Sequence, residues 1–435
     1  MFCVAAALGG ARAVVGCGDD GGGGASPDAS ASSSSSSGAS GTSSSGSSSS
    51  SSSSGGTGDA GPIGTLDPAF GTNGIVVMSP SASYTDVQVT AIAPYPDGRL
   101  AVAAEGRNNG NLFELRVALL ANGQPDPALT TASRIGISSG KIASVADMLV
   151  STDESLLRVG RFGDDAVSRI HVDGGEVASF GDGAGTNVRA MLLEGADRLV
   201  LFGKVRTDHD VLKFVRHIGD GGLDPSFGGT GSVIVQTNVS ASDFARGVVR
   251  TGALGSYVGA VSLGQAGCVI TRVGSGGDKD LAFGGGDAGY RVFREPVFAT
   301  LLSDGDGYVL VGTRNDSAVA RLGGWFLRLT SGGEVDVASN SAEGRFVDIG
   351  KGLRVQDAAL LADGTIVLVG SRDDGVGPAK GVVVRATRAG TLVASFGTAG
   401  VIELPFRPNR VVLDAQSRIV VAGGSGGVNV ARVLP

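Results

Sequence analysis

The sequence predicts an all-β protein whose folded part is a single seven-bladed β-propeller of four-stranded blades. Three observations predict it. An arginine recurs at one position of an internal repeat, at Arg116, Arg169, Arg216, Arg272, Arg328, Arg385 and Arg432. A glycine follows five residues after each arginine from Arg169 to Arg385, and a Phe-Gly pair begins eleven residues after four of them, at Phe180, Phe227, Phe283 and Phe396; Ser339 stands in that place after Arg328. The array is out of phase with itself: Phe70-Gly71 has no repeat arginine before it, and Arg432 lies three residues from the end with no Phe-Gly after it. A fixed spacing inside a period of about fifty residues marks stacked or ringed supersecondary units. The phase offset selects the ring. Residues 66–78 supply the tail that the last unit lacks, and joining the two ends leaves no open sheet edge.

Each unit contains four short apolar runs, named a to d from the ring centre outward. In the unit of Arg385, Val355 to Leu361 is the first run and Ala362-Asp363-Gly364 is a hairpin signal. Thr365 to Gly370 is the second run, Val382 to Ala386 the third, and Val401 to Leu404 the fourth. The runs are short, rich in Val, Ile and Leu, and bounded by Gly, Asp and Asn, which favours strands over helices. Runs a and b are apolar on both faces, as in Leu199-Val200-Leu201-Phe202, so they belong between neighbouring blades. Ile75 to Met78 would then be the outermost strand of the last blade. The core is aliphatic: aromatic residues make up 5% of the chain and Trp325 is the single tryptophan, which excludes a Trp-Asp repeat.

Leu66-Asp67-Pro68-Ala69-Phe70-Gly71 and Leu223-Asp224-Pro225-Ser226-Phe227-Gly228 resemble the opening of the bacterial delta-60 repeat. The Asp-Gly hairpin of that family has its counterpart in Pro96-Asp97-Gly98-Arg99-Leu100, and its Ala-Arg strand in Ala431-Arg432-Val433. The resemblance covers residues 65–435. It implies a propeller on an extracellular or surface protein and carries no shared catalytic residues.

Residues 1–17 form a signal-like segment and residues 18–64 a linker of Gly, Ser, Asp, Ala and Thr, with serine throughout 47–54. Val14-Val15-Gly16-Cys17 is similar to a bacterial lipobox, which makes Cys17 the lipidation candidate and a membrane the first partner. Two departures stand against it: no Lys or Arg precedes the apolar region, and Gly9, Gly10 and Arg12 interrupt it. A cleaved signal without lipid and an uncleaved N-terminus remain as alternatives. A linker of this composition cannot bury apolar area and spans about 35–40 Å as a flexible coil. The expected location is the cell envelope, lipid-anchored, or the exterior. The net charge of −7 argues against a nucleic-acid partner.

No catalytic constellation, metal site or cofactor motif emerges. The three histidines, His171, His209 and His217, form no ligand pair. Asp304-Gly305-Asp306-Gly307 reads as a hairpin turn rather than a calcium loop, because the bidentate glutamate is missing. Cys268 reads as a buried small hydrophobe. The repeat arginines read as structural ties from strand c to the c–d turn, with Asp126, Glu176, Asp224, Asp280, Asp336 and Asp67 as acidic partners. Phe70, Phe180, Phe227, Phe283 and Phe396 read as packing plugs, with the following Gly taking the turn.

One asymmetry points toward function. The spacing from Arg to Phe is constant, yet the distance from the end of strand b to the arginine runs from 9 residues (Gly160 to Arg169) to 16 (Gly312 to Arg328). Length variation therefore gathers in the b–c loops, on the face opposite the Asp-Gly hairpins, and recognition is usually placed on such loops. The longest are charged: Arg206, Asp208, His209 and Asp210; Arg314, Asp316 and Arg321; Arg372, Asp373, Asp374 and Lys380. These residues are the candidate binding loops. The expectation is a monomeric, non-catalytic scaffold for a surface protein or glycan. An extracellular hydrolase or lyase with its site at the channel mouth, and a structural envelope spacer, are the alternatives.

Overall fold

A computed structural model describes residues 62–435 except 80–84, 109–110, 127–134, 137–144, 161–166, 171–175, 181–185, 196–197, 206–210, 239–244, 251–254, 265–266, 287, 296, 319, 339–342, 376 and 425. The signal-like segment with Cys17, the linker up to residue 61, His171 and the loop Arg206, Asp208, His209 and Asp210 lie outside the described residues.

The strands form seven four-stranded antiparallel sheets. The first in the chain, β1 (Ile75–Met78), is set aside for the last blade. Blade 1 is Thr85–Pro94, Leu100–Asn108, Asn111–Leu119 and Ile135–Gly136 (β2 to β5). Blade 2 is Val145–Val150, Leu156–Gly160, Val167–Ile170 and Glu176–Phe180 (β6 to β9). Blade 3 is Thr186–Glu194, Arg198–Val205, Val211–His217 and Ser232–Gln236 (β10 to β13). Blade 4 is Ala245–Arg250, Tyr257–Ser262, Cys268–Val273 and Tyr290–Phe293 (β14 to β17). Blade 5 is Val297–Asp304, Gly307–Asp316, Arg321–Leu329 and Arg345–Val347 (β18 to β21). Blade 6 is Gly352–Leu360, Ile366–Asp373, Lys380–Ala386 and Val401–Leu404 (β22 to β25). Blade 7 is Arg407–Leu413, Ile419–Gly424 and Val428–Val433 (β26 to β28), completed by β1.

The last sheet closes the ring. Strand β1 runs antiparallel to β28, with Ile75 opposite Ala431 and Met78 opposite Val428. The pairing continues outside the strands. The Asp67 amide donates to the Arg432 carbonyl (2.8 Å), and the Arg432 amide donates to the Gly74 carbonyl (3.0 Å).

The core is distributed between the blades. Seven apolar clusters occupy the seven interfaces of the ring. The one between blades 7 and 1 joins Val420, Ala422 and Val430 to Val87, Val102 and Leu119, with Phe70 and Val76 from the N-terminal segment. An open array would leave that surface bare. Cys268 is buried in β16, and burial raises its thiol pKa.

In an antiparallel a-b-c-d sheet the a–b and c–d connections share one end, and b–c and d–a share the other. The ring therefore has two faces. The first carries the a–b hairpins and c–d turns; the second carries the b–c connections.

Candidate functional site: a clasped face and a ribboned face

The repeat signature lies on the first face and, at four boundaries among the described residues, binds one blade to the next. In blade 3, Arg216 donates from Nε to Asp224 (2.8 Å), from Nη2 to the Ser226 hydroxyl (2.9 Å), and from Nη1 to the Tyr257 hydroxyl of blade 4 (3.3 Å) and the Ser275 carbonyl. Its guanidinium covers the Phe227 ring at 4.7 Å, and Phe227 meets Tyr257 edge-on. The amide of Gly228 donates to the Gly276 carbonyl in blade 4's c–d turn (2.8 Å). Blade 4 repeats the arrangement: Arg272 bonds Asp280 and the Ser331 carbonyl of blade 5, covers Phe283 at 4.9 Å, and Gly284 donates to the Gly332 carbonyl (2.8 Å).

The turn glycine of the signature is explained by the same contact. Gly277 has φ +87°, and a Cβ there would lie 2.5 Å from the Gly228 nitrogen of the neighbouring blade. A side chain would therefore strain the turn and separate the blades.

Blade 7 builds the clasp from both ends of the chain. Arg432 donates from Nε to Asp67 (2.6 Å), covers Phe70 at 4.6 Å, and reaches the Ala121 carbonyl of blade 1. Burial, then the neighbouring Arg418, lowers the Arg432 pKa despite Asp67, so desolvation is the dominant influence on this pair. The c–d turn of this blade is split. Gly64 donates to the Leu434 carbonyl (2.9 Å) and Leu434 donates to the Thr65 carbonyl (3.0 Å), as Gly277 and Gly274 do within the intact turn of blade 4. Gly64 also accepts from the Gly397 amide of blade 6 (3.0 Å) and shares the positive φ, at +73°.

In three blades the a–b hairpin supplies a partner. Arg169 bonds Asp153 and the Ser155 hydroxyl of the a–b hairpin (2.7 Å to Ser155). Arg385 has no acid after it and takes Asp363 (2.7 Å) and Thr365 (2.9 Å) from its own a–b hairpin, while covering Phe396 at 5.8 Å. Arg328 bonds both Asp336 and Asp304 (2.6 Å to Asp304). Strand c ends beside the a–b hairpin, so a hairpin aspartate serves as well as one in the c–d turn. Arg116 lies half-buried on β4, and Asp126 lies 3.8 Å from Arg99. The side chains of Glu176 and Phe180 lie outside the described residues. Phe70, Phe227, Phe283 and Phe396 are fully buried.

These contacts set the titration of the face. Burial pushes the Asp224 carboxyl upward, but bonds from the Ser226 hydroxyl and amide and from Arg216 outweigh it and hold it below the usual range. Asp363 is lowered in the same way by Thr365 and Arg385 against burial. Burial, and the bond it makes to Glu194, push Tyr257 up to about 12. Asp304 is held by Arg328 and, across the blade boundary, by both terminal nitrogens of Arg388 (2.7 and 2.8 Å). No group of three metal-ligating side chains occurs among the described residues. His217 is buried, with Nδ1 on the Gly221 carbonyl (2.9 Å).

The second face differs from the expectation of long loops. Most of the charged residues sit on paired strands, because the b–c hairpins lengthen as ribbons. Strands β19 and β20 pair out to Asp316 opposite Arg321, and β23 and β24 out to Arg372 opposite Lys380. An antiparallel ladder extends two residues at a time without a new connection. Beyond the neighbouring blades no core covers either side, so polar residues suit both. Arg314 bonds the Glu343 carbonyl (3.0 Å) and carboxylate (3.2 Å), and Arg321 lies 3.9 Å from Asp348. At the tip Asp316 accepts the Ala318 amide (2.8 Å). Arg372 pairs with Asp374 (2.8 Å) and Glu403 (2.6 Å), and Lys380 with Glu403 (3.3 Å); Asp373 accepts the Gly375 amide (2.9 Å). Hydrogen bonding to Asp374 raises the Arg372 pKa, and Lys380 and Arg372 lower that of Glu403.

Sequence reasoning missed the innermost strands. All seven carry a bulge at one register, at Thr90, Ala146, Arg189, Arg246, Ala299, Gln356 and Asn409. Side chains at or beside the bulges reach the next blade. Asp147 accepts the Met148 amide (3.0 Å) and the Met191 amide of blade 3 (3.0 Å); Asp357 accepts the Ala358 amide (2.9 Å) and the Val411 amide of blade 7 (3.1 Å). Arg410 donates to the Thr90 carbonyl of blade 1 (2.7 Å) and Asn409 to the Val89 carbonyl (2.5 Å). The signal was an aspartate inside an apolar run, in Val145-Ala146-Asp147-Met148 and again in Val355-Gln356-Asp357-Ala358.

No protein-family model matches the sequence, and no curated protein matches it. Among solved structures the chain is similar to a catalytically inactive virginiamycin B lyase from Staphylococcus aureus with quinupristin, at 11% identity and a TM-score of 0.49, over 82% of this chain and 99% of that one. It is also similar to a protein of unknown function from Bacteroides caccae (9% identity, TM-score 0.34, 76% and 98% covered). The mitotic checkpoint complex contains a further similar chain (11% identity, TM-score 0.43, 83% and 95% covered). The seven-bladed ring itself rests on the sheet topology.

Proposed function

We propose that this protein is a tethered, non-catalytic binding scaffold of the cell envelope, built from delta-60-like repeats and presenting its ribboned face to a surface protein or glycan. Lipidation at Cys17 would hold the chain on a membrane, and residues 18–61 would space the ring from it. The observation that carries the reading is the split turn. Gly64 completes the c–d turn of blade 7, so the N-terminal segment joins the ring on the clasped face, opposite the ribbons. A ring held from that side turns its ribbons away from the anchor. The division of labour supports it as well: one face is committed to joining blades, while the other varies in length and charge.

Two measurements test it. The wild-type chain, expressed in a bacterium that processes lipoproteins, partitions into detergent, and Cys17→Ser releases it; a freely soluble wild type overturns the anchor. Replacing residues 317–320 and 374–379 with two-residue turns removes binding to cell-surface protein and glycan arrays. Equal binding by the shortened chain overturns the ribboned face as the site.

A further inference from the structure

The innermost strands alternate along their length. On β2 and β22, Val87, Val89, Leu353 and Val355 are buried between blades, whereas Gln88, Arg354 and Gln356 are exposed. Among the described residues no strand lies further in, so exposed residues at these positions face the central channel. Two register positions lie toward the ribboned face: the bulge and the residue two before it. Exposed residues at these positions include Arg354 and Arg407 with the amides Gln88 and Gln356, and neither position holds Asp or Glu at any described strand.

Three of the four nearby carboxylates are engaged elsewhere. One step inward, Asp147 and Asp357 each accept two backbone amides. One step outward, Glu295 lies 3.8 Å from Arg314, and Asp86 stands exposed on β2. Arg354 makes no ion pair among the described residues, and Arg407 uses Nε alone, on the Ala379 carbonyl (2.9 Å). Arg354 and Arg407, exposed on adjacent blades in a chain whose net charge is −7, focus an anion at the channel mouth.

We propose that the channel mouth on the ribboned face binds a carboxylate-bearing oligosaccharide. Guanidinium groups grip a carboxylate through paired hydrogen bonds, and the amides of Gln88 and Gln356 suit sugar hydroxyls, for which a purely cationic ring would have no partner able to accept. The proposal rests on the reading of this face as the binding face and adds its ligand chemistry.

The test is calorimetric titration of the full chain with a galacturonate trimer and with the neutral galactose trimer. The acidic trimer binds, the neutral one does not, and about 0.5 M salt weakens binding through screening. Arg354→Glu and, separately, Gln356→Glu each weaken binding about tenfold or more with unchanged melting curves, since both residues are exposed; Lys279→Glu, exposed in a c–d turn on the opposite face, leaves it unchanged. Equal affinity for the neutral trimer, no binding of the acidic one, or wild-type affinity in both channel variants overturns the proposal. Cell-surface binding that survives Arg354→Glu but is lost on shortening the ribbons also overturns it, while leaving the scaffold reading standing.

Discussion

The two faces of this ring obey different rules. On the clasped face, arginine, aspartate, Phe-Gly and a turn glycine hold fixed spacings because together they join one blade to the next. The Gly228 amide meets Gly276, and Gly277 has no room for a Cβ. On the ribboned face the ladder of β19 and β20 runs on to Asp316 and Arg321 with nothing beyond it to meet. Repetition in this sequence marks where blades must interlock, and variation marks where a hairpin is free to lengthen.

The largest effect comes from breaking the clasp where the chain ends share it. Deleting residues 62–78 removes a strand and strips Arg432 of Asp67, so cooperative unfolding at ordinary temperature is expected in a thermal melt followed by circular dichroism. Asp67→Ala isolates the charge. The two side chains are 2% and 3% exposed, so removing one partner leaves a buried ion unpaired and costs about 3–5 kcal/mol in a denaturant titration. Asp336→Ala costs less, because Arg328 is 26% exposed and keeps Asp304.

A pair of glycines sharpens the comparison within the clasped face. Gly277→Ala combines a φ of +87° with a blocked Cβ and costs about 1–3 kcal/mol or more. Gly305→Ala, at φ +60° with nothing within 4 Å, costs only the backbone term of about 1–2 kcal/mol. Similar melting of the two variants would show that blades do not approach through the turn.

Acid should act on the clasps as well. The folded pKa values of Asp224 and Asp363 lie below the ordinary carboxylate range, so their stabilisation is fully present above the unfolded value of about 3.9 and disappears as pH falls through the folded values. Melting temperature should fall below about pH 4, and Asp224→Asn should flatten that slope. At the small end, Arg314→Ala on the ribbon should change stability by no more than about 0.5 kcal/mol, as exposed pairs do.

Much of the clasp was legible because its parts recur at fixed offsets. Arg432 and Asp67 could be matched across 365 residues from the phase of the repeat alone. The partners of Arg169 and Arg385 were not legible, because spacing along strand c does not reveal which a–b hairpin lies beside its end. The ribbons were read as loops because Arg314-Asn315-Asp316 lacks the apolar alternation of a half-buried strand, and a ribbon with no core on either side has no need of it. The innermost bulges left only isolated polar residues in apolar runs, a signal that acquires meaning once seven strands are superposed.

The central claim is that residues near the start of the chain complete the sheet formed by its last strand. Hydrogen exchange on the full chain tests it most directly, since chain ends ordinarily fray and exchange fast. The amides of Gly64, Asp67, Arg432 and Leu434 should exchange as slowly as those in the middle of β23. Exchange of these four at the rate of an unstructured peptide would contradict the closed ring.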